Sequence, residues 1–197
     1  MKELILHIGG PKCASSTIQR YCYEHLSGSV ENLDSLKLSY FRLIVWENEI
    51  HIVNEKEQFP NTFSSYDLYH FKGSISAIIE RLNQVTDEDT IVILSCEGWA
   101  YSLLSDQELC KEIESIKYPI NIFFVVRPLL SVLNSSWFQW GAFSEHSHKQ
   151  WMESKITEVP NQFEFYSQYL NVIELKNLTK ILVADISPAG KINKFQK

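Results

Sequence analysis

The stretch Glu3-Leu4-Ile5-Leu6-His7-Ile8-Gly9-Gly10-Pro11-Lys12-Cys13-Ala14-Ser15-Ser16-Thr17-Ile18-Gln19 decides how this chain is read. Residues 3–8 are short and mostly apolar, the pattern of a buried strand. Gly9-Gly10-Pro11 breaks that strand. Ser15-Ser16-Thr17 then offers hydroxyls for a helix start, and Ile18, Tyr21, Cys22, His25 and Leu26 follow at helical spacing. A strand, a Gly-rich turn and a helix point backbone N–H groups and the positive end of a helix dipole at one spot, which suits phosphate or sulfate. Ser15, Ser16 and Thr17 add hydroxyl donors, and Lys12 adds a mobile cation. The spacing is not that of the common nucleoside-triphosphate loop, in which Lys directly precedes Ser or Thr. Here two residues separate Lys12 from Ser15, and Ala14 stands in place of a glycine. A plain strand-to-helix turn with a surface Lys12 is the alternative reading.

Outward from this unit, strands and helices alternate. Residues 41–53 read as a hairpin around Glu47-Asn48, residues 54–70 as an aromatic loop, and residues 72–85 as an amphipathic helix. Ile91-Val92-Ile93-Leu94 and residues 120–126 are continuous apolar runs of the kind that parallel sheets bury on both faces. Helices are expected over 106–117, 129–143 and 162–175, with a last strand over 180–184. The class is therefore α/β, a three-layer, P-loop-like sandwich with a mostly parallel sheet and helices on both faces.

Composition bounds the function. The chain has 197 residues, 45% hydrophobic and 21% charged, which excludes a disordered chain and suggests a single domain over 1–197. Residues 186–197 read as a flexible tail. No apolar run approaches the roughly 20 residues of a membrane span, and the N-terminus lacks a signal-peptide core, so a cytoplasmic protein is expected. Cys13, Cys22, Cys96 and Cys110 show no metal spacing and read as free thiols. The net charge of −6 falls on residues 27–89, with 11 acids against 5 Lys or Arg. That is no footprint for nucleic acid.

A second constellation lies at the end of the apolar run 120–126. Arg127 follows it directly, and open α/β sheets bind ligands outside the carboxyl ends of their strands. An Arg there can hold a phosphate through two parallel hydrogen bonds. Ser135 lies eight residues on, about two helical turns away. The other reading is an Arg that caps the sheet edge and a Ser on an ordinary helix surface. No Asp placed for Mg²⁺ ends a strand: Leu94 leads to Ser95-Cys96-Glu97, and Val126 leads to Arg127.

Together the two segments resemble the donor-binding motifs of sulfotransferases that use 3′-phosphoadenosine-5′-phosphosulfate (PAPS), in particular bacterial, carbohydrate-type members. Those carry a loop like hIGxPKTGTTxLQ, against His7-Ile8-Gly9-Gly10-Pro11-Lys12-Cys13-Ala14-Ser15-Ser16-Thr17-Ile18-Gln19 here. Their strand-end Arg, the Ser eight residues on and a nearby aromatic match Arg127, Ser135 and Trp137. The resemblance covers roughly residues 3–26 and 90–143. It implies that the loop Gly9–Thr17 binds the donor, with Lys12, Ser15 and Ser16 on the 5′-phosphosulfate and Arg127 and Ser135 on the 3′-phosphate. It implies adenosine 3′,5′-bisphosphate as product and no metal, because a sulfuryl group carries less charge than a phosphoryl group. Glu97, at the end of the strand between them, matches the family's base. Residues 27–89 fall where the family builds its variable acceptor side. Cys13 and Ala14 depart from the family loop, and the family usually continues further beyond its last strand.

The acceptor expected is a glycan, glycolipid or small alcohol. Tyr66, Tyr69, Phe71 and Trp99 could stack on it or pack in the core. Glu97 could equally cap a turn or pair with a cation. His70 is a secondary base candidate, His7 reads as a packed histidine, and His146 and His148 have no evident partner. Two rival readings stand beside the sulfotransferase. One is a non-catalytic relative that binds a nucleotide or serves as an interaction domain, and the other is a P-loop kinase.

Overall fold

The computed structural model describes residues 1–9, 13–28, 30–31, 37–47, 49–56, 75–96, 99, 107–158, 178–185 and 192–196. In chain order the first half gives β1 (Glu3–Gly9), α1 (Ser15–Leu26), β2 (Val30–Glu31), β3 (Lys37–Tyr40), β4 (Arg42–Trp46), β5 (Glu49–Val53) and α2 (Ile75–Val85). The second half gives β6 (Thr90–Ser95), α3 (Gln107–Ser115), β7 (Ile120–Val126), α4 (Leu129–Gln139), a 3₁₀ turn (Gly141–Phe143), α5 (His148–Glu158), β8 (Leu178–Asp185) and β9 (Ile192–Gln196).

The main sheet runs β2-β3-β6-β1-β7-β8-β9, and β4-β5 is a separate hairpin. β3, β6, β1, β7 and β8 are parallel, and β2 and β9 close the two edges antiparallel. The fold is thus α/β, with a mostly parallel sheet covered by helices on both faces. From β1 the chain returns to β3 on one side, while β7 leads to β8 on the other. The carboxyl ends of β1 and β7 therefore flank the point where the connections diverge, the position at which open α/β sheets bind their ligands.

Side chains alternate across β1 and sort the core into two layers. Leu4, Leu6 and Ile8 join Val92, Leu94, Ile122 and Phe124 beneath α2 and α3, which contribute Ile78, Ile79, Leu82 and Ile113, with Ile116 just past the end of α3. On the opposite face Ile5 packs with Ile18 and Cys22 of α1, and Val125 and Ala184 pack with Val132 and Leu133 of α4 and Trp151 of α5. β6 is buried along its whole length, as a central parallel strand requires.

The structure departs from the sequence reading in four places. β3, only four residues long, is a full member of the parallel sheet. The helix expected to reach residue 143 ends at Gln139, and the 3₁₀ turn follows. Only glycine fits at 141 in the turn that follows: a Cβ there would lie 2.2 Å from Trp137 Cε3 and 2.8 Å from Trp151 Cδ2. α5 is additional to the reading. Finally, residues 192–196 of the expected flexible tail form β9, which pairs with β8 from Lys180↔Gln196 to Ala184↔Ile192. A bare β8 edge would expose a row of unpaired backbone groups, and β9 covers it. The helix expected over 162–175 and all but the first three residues of the loop expected over 54–70 lie outside the described residues.

Candidate functional site

β1, β6 and β7 run parallel in register, with His7 opposite Ser95 and Gly9 opposite Val125. Gly9, Ser95 and Val126 therefore end their strands at the same end of the sheet, with Cys96 and Arg127 following directly. Sequence reasoning placed its candidates at and after these strand ends. Gly10, Pro11, Lys12, Glu97 and His70 lie outside the described residues, as do Tyr66, Tyr69 and Phe71.

The start of α1 is well defined. Ala14 is its N-cap residue, in the left-handed conformation at φ 60 and ψ 18, with no side-chain cap. Its carbonyl accepts hydrogen bonds from the N–H groups of Thr17 (3.0 Å) and Ile18 (3.1 Å). The N–H groups of Ser15 and Ser16 stand ahead of those bonds, at the positive end of the dipole, and no acidic side chain occupies the first turn. Ser15 is only 3% exposed, and its Oγ has no hydrogen-bond partner among the described residues. A buried hydroxyl without a partner is costly, and at a helix N-terminus an anion supplies the missing acceptor. Ser16 and Thr17 are exposed on the same turn.

This geometry explains both departures in the loop. Ala14 holds a backbone conformation that costs an L-residue about 1–2 kcal/mol and costs glycine little. Ala14→Gly is therefore expected to stabilise the chain by roughly 0.5–1 kcal/mol after the added freedom of the unfolded glycine is counted. Equilibrium urea unfolding reads this directly, and a loss of stability would contradict the strained cap. Cys13 is fully buried, and its side chain packs among Val125, Val132, Leu133, Trp151 and Ala184. It anchors the loop to the layer of α4 and α5, which leaves its backbone as the part that can face a ligand.

Ser15→Ala carries a prediction of opposite sign for two readouts. Removing a buried hydroxyl with no partner should raise the stability of the ligand-free protein by about 1 kcal/mol. The same change should weaken anion binding. A melting temperature that falls without ligand would mean that the hydroxyl is satisfied.

Arg127 is half-buried directly after β7, and Ser135 is half-buried on α4. The neighbouring Ser136 is fully buried, and its Oγ also lacks a partner among the described residues. Sequence reading passed over Ser136, although it shares the sheet-facing stripe of Val132 and Leu133. Trp137 meets the edges of His148 and Trp151, at centroid distances of 5.3 and 5.9 Å, so its role is packing, and His148 has a partner after all. Trp99 is 2% exposed and belongs to the core.

His7 is buried on β1. Its Nδ1 lies 2.6 Å from Ser95 Oγ, its ring leans on Phe123 at 5.3 Å, and its Nε2 has no partner among the described residues. Burial lowers its pKa to about 4, so the imidazole is neutral at pH 7. Its carbonyl accepts the N–H of Cys96 at 3.1 Å. His7 therefore ties the end of β6 to β1, just before Glu97 in sequence.

All four cysteines are free thiols. Among the described residues no group of three or more His, Cys, Asp or Glu side chains could hold a metal ion. No described helix is long and apolar enough to cross a membrane. Comparison with known proteins returns no matching family model and no matching curated sequence.

Proposed function

We propose that this chain is a PAPS-dependent sulfotransferase acting on a hydroxyl of a glycan, glycolipid or small alcohol. One observation carries the reading: the buried, unpartnered Ser15 Oγ at the uncapped N-terminus of α1, on the sheet edge that also presents Arg127. That donor set suits a ligand with two separated anionic groups. The motif resemblance, and not the geometry alone, selects 3′-phosphoadenosine-5′-phosphosulfate among such ligands.

The donor supplies an activated sulfuryl group. Transfer breaks the bond from sulfur to the 5′-phosphate oxygen and forms one to the acceptor oxygen, with adenosine 3′,5′-bisphosphate as leaving group. In this reading the N–H groups at the start of α1, Ser15 and Ser16 hold the 5′ end. Lys12 neutralises charge that builds on the bridging oxygen, where fixed donors lower the barrier most. Arg127 and Ser135 hold the 3′-phosphate. Glu97 takes the acceptor proton, a task that suits a carboxylate whose affinity for protons is raised by its surroundings.

The test is a thermal-shift comparison of adenosine 3′,5′-bisphosphate with ATP–Mg²⁺ and AMP. A ligand that binds only the native state adds about 2.7 kcal/mol at a hundredfold excess over Kd. A shift with the bisphosphate that is lost in Lys12→Ala supports the sulfotransferase. A shift confined to ATP–Mg²⁺ would favour a kinase, and no shift from folded protein would favour an interaction domain.

A further inference from the structure

α4 is apolar on two sides. Val132, Leu133 and Ser136 face the sheet and are fully buried. On the outer side Leu130 and Phe138, eight residues apart, are 67% and 70% exposed. The eight-residue spacing puts them on one face of the helix, about 12 Å apart along its axis, with Asn134 between them. Phe143, in the 3₁₀ turn that follows, is 86% exposed, and Leu129 and Trp140 are about half exposed beside this face. A cluster of large apolar side chains left open on the outer side of a packed helix marks a contact surface. Other exposed apolar residues, such as Tyr21 and Val85, lie singly on other helices, which is ordinary for a protein surface.

We propose that this face is the contact between two copies of the chain, related by a two-fold axis. Three arguments select a second copy. The first is charge: residues 128–144 contain no Asp, Glu, Lys, Arg or His, in a chain of net charge −6. Two copies repel each other elsewhere but can meet through this face without placing like charges together. The second is the lack of basic residues in the same segment. A helix that lies on a lipid surface carries Lys and Arg along its polar side, and α4 fills those positions with Ser, Asn and Gln.

The third argument is area. Phe138 and Phe143 leave roughly 300 Å² open to water at about 200 Å² per ring side chain, and the two leucines bring one copy to roughly 500 Å². Two such faces together remove about 1,000 Å², the lower bound for a specific interface. A two-fold contact lets one patch serve both sides. Because Leu129 follows Arg127 by two residues, the interface begins beside the candidate site, although it does not depend on that site's function.

Sedimentation equilibrium tests the proposal on the whole chain, over protein concentrations from about 1 to 100 µM. The expected result is a dimer, which Phe138→Asp and Phe143→Asp each convert to monomer or weaken at least about a hundredfold. Both positions are on the surface, so circular dichroism should show the two variants folded as the parent is. A monomeric parent throughout this range, or a dimer that survives both substitutions, overturns the proposal. So does recruitment of a monomeric parent to phosphatidylcholine vesicles through these two residues, which would make the face a lipid contact.

Discussion

Between pH 7 and pH 4 the fold is expected to lose about 3 kcal/mol of stability through one side chain, His7. Burial holds its pKa at about 4, against 6.5 for a free histidine. The unfolded chain therefore takes up a proton as the pH falls through 6.5, while the folded chain stays neutral until about pH 4. The unfolded state gains over that window, and stability falls with the pH. Below about pH 4 both states are protonated and this contribution levels off. Ser95 on β6 and Phe123 on β7 enclose the ring, so little water can reach it. His7→Asn keeps a polar atom near Ser95 and removes the titration. Urea unfolding at pH 7, 5.5 and 4 should show the acid loss in the parent and about 3 kcal/mol less of it in the variant. Equal acid losses in both would place the titration on other groups.

Gly141→Ala is expected to cost about 3 kcal/mol, the upper end for overpacking a core. The added methyl would sit 2.2 Å from Trp137 Cε3, a distance that no rotamer change at Ala can relieve. Trp137 cannot simply withdraw, because its ring is held edge-on by Trp151 and His148. The damage should be local to the α4–α5 layer and show as altered tryptophan fluorescence together with a lower urea midpoint. Trp137→Leu made in the same background should recover part of the loss, because it removes the obstructing ring. An alanine variant as stable as the parent would mean that the turn has room, contrary to the packing described.

What the sequence revealed about this fold follows how strongly each element is patterned. β1, β6 and β7 are apolar runs with clean breaks, and Ile75–Val85 has one apolar stripe, so both kinds of element are visible from periodicity. β3 offers only Lys37-Leu38-Ser39-Tyr40, four residues with weak alternation, and gains its place by pairing with β6. α5 has little amphipathic contrast and buries chiefly Trp151. Its start was nevertheless legible: Ser147 and Gln150 form a reciprocal capping box, with Ser147 N–H donating to Gln150 Oε1 at 2.9 Å and Gln150 N–H donating to Ser147 Oγ at 3.3 Å. β9 depends on an unpaired neighbour rather than on its own pattern, so a local reading takes it for a tail.

The candidate site divides along similar lines. The strand-end position of Arg127 and the helix start at Ser15 follow from local pattern. The left-handed Ala14, the inward turn of Cys13 and the buried Ser136 do not, because each depends on which face of the sheet a side chain meets. Ala14 puts strain into the start of α1, because it holds a left-handed φ of 60 that glycine would adopt at little cost.

In the proposed sulfotransferase the start of α1 and Arg127 hold two anionic groups of one nucleotide. Titration calorimetry of adenosine 3′,5′-bisphosphate and of 5′-AMP, against the parent and Arg127→Ala, tests it most directly. The parent is expected to bind the bisphosphate at least about tenfold more tightly than AMP, a difference of about 1.4 kcal/mol, and Arg127→Ala is expected to remove that preference while leaving AMP binding nearly unchanged. Equal affinity of the parent for both nucleotides, or a preference that survives in Arg127→Ala, would contradict it.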